Sequence, residues 1–199
     1  MYVVYPKSLI EKKVNVRKAI KGDAQKIAQL YGESFSEHIM VQRGLLNDKT
    51  YIENRLDNAD EDWVVAEFDG DVAGVAALAK IKPVGLAEIE RVCVDKRYRG
   101  NSLAYNMCKH LVDAAVEDNM GFVEAYARGD QPAMQKTFYN LGFKVYGVSP
   151  RFEVVHDEKV VREQFVHMGL ELKPESIDMT QMRLIPKAKN LFDIINSQT

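Results

Sequence analysis

Between Ala87 and Ala115 the chain runs A-E-I-E-R-V-C-V-D-K-R-Y-R-G-N-S-L-A, and Leu103, Met107, Leu111 and Ala115 then fall four residues apart. No other stretch restricts the fold as strongly. A short apolar strand that passes through a basic loop into an amphipathic helix must bury that helix on a sheet. The loop lies where the first helical N–H groups have no carbonyl partners, so anionic oxygens are favoured there, and the turn suits a diphosphate. The plainer alternative is that Asn101 or Ser102 is the N-cap of an ordinary strand–helix turn.

The rest of the chain supplies the sheet. Val14–Ile20 alternates as a strand, Gly22-Asp23 turns into a helix carrying Ala24, Ile27, Ala28, Leu30 and Tyr31, and Asp48 caps a second helix with Tyr51, Ile52 and Leu56. The period is lost between Phe35 and Asn47, which reads as a mobile connection. Trp63–Phe68 and Val72–Ile81 flank Asp69-Gly70-Asp71, a hairpin signal. Downstream, Phe122–Ala127 reads as a strand, Pro132–Asn140 as a helix and Phe143–Val148 as a strand. Phe152–Val155 and Gln164–Leu172 form two further strands around a polar turn at 156–159, and a terminal helix follows over Leu184–Ile195. This order predicts an α+β fold, a mixed and mostly antiparallel central sheet flanked by helices, in one domain over residues 1–199.

Composition excludes several classes. A net charge of −2 gives no field to gather nucleic acid, and basic residues cluster only at Lys96, Arg97 and Arg99. Pro6, Lys7, Lys12 and Lys13 break up the apolar start, and no run reaches the ~18 residues of a spanning helix, so a cytoplasmic protein without membrane contact is expected. Cys93 and Cys108 have no metal-binding spacing, and no metal is expected. The loop lacks G-x-G-x-x-G and G-x-x-x-x-G-K-[ST], so neither a dinucleotide nor a nucleoside triphosphate is its natural ligand.

Four segments in this order resemble the GCN5-related N-acetyltransferase (GNAT) family over residues 14–148: V-N-V-R-K-A-I-K-G-D-A, W-V-V-A-E-F-D-G-D-V-A-G-V, V-C-V-D-K-R-Y-R-G-N-S-L-A and F-Y-N-L-G-F. The resemblance implies acetyl-CoA as acyl donor. Arg99, Gly100, Asn101, Ser102, Leu103 and Ala104 would cradle its pyrophosphate, with Ser102 where the family usually has glycine. The backbone of Val92, Cys93 and Val94 would pair with the pantetheine arm, as an added strand does. Gln131 stands where the family often has a pantetheine-binding asparagine, and Phe138, in the family's tyrosine position, is counted with it among the cofactor-binding residues. Lys96 and Arg97 either reach the nucleotide phosphates or stay solvated.

Amine acetylation needs a base, because an alkyl ammonium with a pKa near ~10.4 is mostly protonated at neutral pH. A regular strand points Glu88, Glu90, Val92 and Val94 to one face, the two carboxylates roughly 6–7 Å apart. The resemblance favours Glu88 as the base, directly or through water, with Glu90 as second candidate. The alternative is that either carboxylate pairs with Lys or Arg, or contacts the substrate ammonium without moving a proton. The family's acid tyrosine is replaced by Phe138, and Tyr139 lies one step on, turned by about 100° on a helix, so Tyr139 or solvent protonates the leaving thiolate. His38 and His156 are weaker base candidates and His110 reads as structural. An acetyl-cysteine route is disfavoured, since Cys93 falls off the Glu88 face and Cys108 lies within a packed helix. The expected partner is a small amine such as an amino acid or polyamine, gripped by residues 35–47 and the hairpin at 151–162. A protein N-terminus or lysine, or a non-catalytic acyl-CoA sensor, is the alternative, and a homodimer is allowed for.

Overall fold

The computed structural model describes residues 14–173 and 182–198. Seven strands form one sheet: β1 (Val14–Lys18), β2 (Glu61–Phe68), β3 (Asp71–Ile81), β4 (Leu86–Val94), β5 (Phe122–Arg128), β6 (Lys144–His156) and β7 (Lys159–Glu171). Their order is β1-β2-β3-β4-β5-β7-β6, and every neighbouring pair is antiparallel except β4 with β5. That parallel pair needs a crossover, which α4 (Leu103–Glu117) supplies. The other helices are α1 (Ala24–Ser34), α2 (Ile39–Gln42), α3 (Lys49–Leu56), α5 (Pro132–Asn140) and α6 (Pro186–Asn196).

Each sheet face carries its own apolar cluster. Leu103, Met107 and Leu111 of α4, with Phe138 of α5, pack on Val64, Leu78, Ile89, Val123 and Ala125. On the opposite face Ile27, Leu30 and Tyr31 of α1 and Ile52 of α3 pack on Trp63, Val65, Val75, Ala77 and Cys93. The local signals act as their chemistry requires. Asp48 accepts the Tyr51 N–H at 2.7 Å at the start of α3, and Asp69 and Gly70 both take positive φ (52° and 91°) in the β2–β3 turn.

Several expectations change. The two strands foreseen at 143–148 and 152–155 are one strand, β6, which runs through Pro150. β6 is an edge strand, where a residue without an N–H costs no ladder bond. Its partner β7 starts at Lys159 rather than Gln164, and β1 stops at Lys18. The connection between α1 and α3 holds one turn of helix and is tied to β6: Val155 N donates to Glu37 O at 2.7 Å, and His38 forms a bridge with Val154.

The largest correction concerns β4. Between the pairs Ala77–Glu90 and Val75–Cys93 the β3 strand has one residue and β4 has two, a bulge with Arg91 at φ 59°. The extra residue shifts the alternation by one. Glu88 and Glu90, which alternate with Ala87 and Ile89 of the α4-side core, therefore lie on the α1 side, as Cys93 does. Val92 and Val94 pack on the α4 side. The single face of Glu88, Glu90, Val92 and Val94 does not exist, and the separation of Cys93 from the Glu88 face is lost.

Candidate active site

β4 and β5 pair at only four positions, Leu86–Ile89 against Phe122–Ala125, and then diverge. β5 stays paired with β7 as far as Arg128, while the β4 edge beyond Ile89 has no strand partner on that side among the described residues. The result is a notch along which the backbone of residues 90–94, including Val92, Cys93 and Val94, has no strand neighbour on the β5 side among the described residues, with the Arg91 and Val94 carbonyls accepting from the Tyr31 hydroxyl and Arg99 Nε. A linear ligand with amide groups fits such an edge as an added strand.

Below the notch, Lys96–Tyr98 forms a short turn and α4 begins. Gly100 has φ 82°, and Ser102, the N-cap of α4, has φ 58° and ψ 18° with no capping bond from its hydroxyl. The first N–H groups of a 15-residue helix and a free hydroxyl thus face outward beside exposed Arg99. Asn101 braces the loop instead, donating to Tyr98 O at 2.9 Å, and Leu103 anchors it in the core while Ala104 is half-buried. Arg97 is held by Asp95 at 2.6 Å. A non-glycine residue in the left-handed region carries a conformational cost of about 1–2 kcal/mol. Ser102→Gly is therefore expected to raise unfolding free energy by about 0.5–1 kcal/mol, a shift of about 2 °C in the melting midpoint. An unchanged or lower midpoint counts against strain at this position.

Glu88 stands at the last paired stretch, opposite Ala79 on β3 and Glu124 on β5. Burial, reinforced by the charge of Glu90, pushes its carboxyl from an ordinary 4.5 up to about 7, against the opposing pull of Arg151. Its one ion-pair partner among the described residues is Arg151, with Nη1 3.8 Å from Oε1. Glu90 is paired with Arg91.

The same face carries a group that sequence reading missed. Arg151 of β6 lies over the Tyr126 ring, 4.2 Å from its centroid, and its Nε meets Glu153 at 2.6 Å. His167 also stacks on Tyr126, parallel to it at 4.6 Å, with Nε2 3.1 Å from Glu124. The Tyr126 hydroxyl donates to Glu124 at 3.4 Å, and burial raises its pKa, so it is protonated at neutral pH. His38 lies 3.6 Å from Glu153, which its hydrogen bond, with the charge of Arg151, holds below the usual carboxylate range. The signal for these residues was the alternation of Glu124, Tyr126 and Arg128 with Val123, Ala125 and Ala127, since only the second set enters the α4-side core.

The remaining expected residues lie elsewhere. Phe138 is buried and packs on Phe143, ring centroids 5.2 Å apart, while Tyr139 is 58% exposed. Gln131 is the exposed N-cap of α5. Cys93, though on the Glu88 side, is buried with its thiol pushed up to about 11, and Cys108 is pushed up to about 12 by burial, so neither is a ready thiolate. His156 reaches Glu37 at 3.6 Å, and His110 is exposed. Among the described residues no cluster of three or more His, Cys, Asp or Glu could hold a metal ion, and no helix is long and apolar enough to cross a membrane.

Residues 24–143 match the family model of the Acetyltransferase (GNAT) family. The N-acetylaspartate synthetases of Mus musculus and Homo sapiens are each 30% identical over 90 residues, 45% of this chain and 30% of theirs, so the match spans about a third of those relatives. Among solved structures, an N-acetyltransferase from Staphylococcus aureus Mu50 superposes with a TM-score of 0.70 at 20% identity, covering 81% of this chain and 99% of that one. The yncA protein of Salmonella typhimurium, solved with its cofactor acetyl-CoA, gives 0.66 at 19% identity over 84% and 99%. The spermidine/spermine N-acetyltransferase SpeG of Vibrio cholerae gives 0.63 at 15% identity over 79% and 93%.

Proposed function

Because the chain belongs to the GNAT acetyltransferase family, we propose that it transfers the acetyl group of acetyl-CoA directly to the primary amine of a small molecule, with Glu88 as the base. The observation that carries this reading is a half-buried carboxyl at the mouth of a notch whose strand edge is unpaired, where burial and the charge of Glu90 push it up to about 7. Acetyl-CoA supplies the activated acyl group. The β4 edge at residues 90–94 fits its pantetheine amides, and the uncapped N-terminus of α4 with Arg99 fits its diphosphate.

In this reading Glu88 takes one proton from the substrate ammonium, which frees the nitrogen lone pair. As the N–C bond forms and the C–S bond breaks, the thiolate takes up a proton, and the products are the amide, CoA thiol and one released proton. Backbone N–H groups of the free β4 edge stabilise the carbonyl oxygen as charge develops on it. Tyr126 is better situated than Tyr139 to protonate the thiolate, since it lies one residue past the last β4–β5 pair, on the face of Glu88, with its phenol protonated. Tyr126→Phe is expected to lower kcat about tenfold with KM for acetyl-CoA unchanged; the same loss in Tyr139→Phe and none in Tyr126→Phe reverses the assignment.

The choice of a small acceptor is supported by the tie between the α1–α3 connection and β6, which sets His38 beside Glu153 and so beside Arg151, the neighbour of Glu88. Two of the similar proteins are named for acetylating small amines, N-acetylaspartate synthetase and SpeG. The direct test is thiol release from acetyl-CoA over a panel of amines and peptides. Tight CoA binding without release for any acceptor favours a sensor module instead.

A further inference from the structure

Among the four carboxylates around the notch, three are already engaged. Glu90 is paired with Arg91, Glu153 with Arg151, and Glu124 with His167 and the Tyr126 hydroxyl. Glu88 has no hydrogen bond among the described residues, and its one ion pair, with Arg151, is long at 3.8 Å. A second ammonium on the acceptor would therefore compete with these partners, and it would meet the positive guanidinium of Arg151.

Arg151 is fixed rather than free. Its guanidinium lies over Tyr126 and its Nε is taken by Glu153, while Nη1 stands on the Glu88 side, 3.8 Å from Oε1. A guanidinium held in this way presents the two-pronged donor fork that suits a carboxylate. The base that takes a proton from an ammonium and a fork that takes a carboxylate are thus within 3.8 Å of one another. In an α-amino acid the ammonium and carboxylate are joined to one carbon, the spacing this pair calls for.

Resting on the acetyl-transfer reading above, we infer that the acceptor is a free α-amino acid, its carboxylate bound by Arg151 and its amine delivered to Glu88. The N–C bond forms at the α-nitrogen, the thioester C–S bond breaks, the amine proton goes to Glu88 and the thiolate is protonated. The side chain of the amino acid then points away from this pair, toward the roof formed by residues 35–38 and β6, and selects among amino acids. Arg151 is a specificity residue here, and Tyr126, Glu153 and His38 position it.

The experiment compares each proteinogenic α-amino acid with the amine left when its α-carboxylate is removed, such as leucine with isoamylamine and phenylalanine with phenethylamine, and adds spermidine. For the preferred amino acid, kcat/KM is expected to exceed that of its amine by roughly 30-fold or more, the worth of a charge-assisted pair. In Arg151→Gln the preference should fall to within about threefold, mostly through KM, and Arg151→Lys should recover part of it. Calorimetry of the amino acid binding to the CoA-loaded protein should show the same loss of affinity, with CoA affinity unchanged as the measure of an intact fold. Equal or better turnover of the decarboxylated amines or spermidine overturns the inference and leaves acetyl transfer standing. Absence of thiol release with every acceptor overturns both.

Discussion

Glu88→Gln is expected to lower kcat/KM for the amine by about 10²–10³ and to abolish the acidic limb of its pH profile, which in the native protein should bend near pH 7. The same change should make the fold more stable in alkaline buffer. A carboxyl whose folded-state pKa is about 7 against an ordinary 4.5 favours folding in its protonated form. That favourable contribution is complete below about pH 4.5, declines as the pH rises through 7, and is gone above it. Glutamine has no proton to lose, so Glu88→Gln should match the native protein near pH 4.5 and exceed it at pH 8 by about 2–3 kcal/mol. Denaturant melts at the two pH values, read beside the rate profile, test both halves. A variant that loses activity without gaining alkaline stability shows that Glu88 is not desolvated as described, and full activity removes it as the base.

What the sequence disclosed divides along physical lines. The β2–β3 hairpin was legible because Asp69-Gly70 is a local signal, and α4 because its apolar spacing has one reading. The extent of β6 was not, because Pro150 breaks a central strand but not an edge strand, and edge position is set by residues far along the chain. The phosphate loop was legible as a motif, yet the left-handed Ser102 was not, since serine gives no sign of positive φ. Glu88 was singled out through its place in β4. Arg151 was not, because its position depends on β6 lying two strands from β5 with its guanidinium on Tyr126.

The bulge at Arg91 is the clearest case, and it leads to the largest expected loss of stability. An arginine at φ 59° is uncommon, and here partners from 28 to 60 residues away hold it. Tyr31 donates its hydroxyl to the Arg91 carbonyl at 2.8 Å, the guanidinium lies 5.5 Å from the Trp63 ring centroid, and Arg91 Nη1 is 3.6 Å from Glu61. Glu61 is buried and accepts from Trp63 Nε1 at 2.8 Å and Arg55 Nε at 3.0 Å. Removing this acceptor takes the partner from Arg55 and the indole N–H and leaves Arg91 with Glu90 only, so Glu61→Ala should cost about 3–5 kcal/mol. Glu61→Gln, which keeps an acceptor but not the charge, should cost less, about 1.5–3 kcal/mol. Because the bulge sets which residues of β4 face the notch, both variants should raise KM for acetyl-CoA under conditions where they are fully folded. Urea unfolding followed by Trp63 fluorescence measures the first effect, since Trp63 is the single tryptophan of the chain. A loss under 1 kcal/mol in Glu61→Ala, or a destabilised variant with native KM, would separate the buried charge cluster from the geometry of the notch.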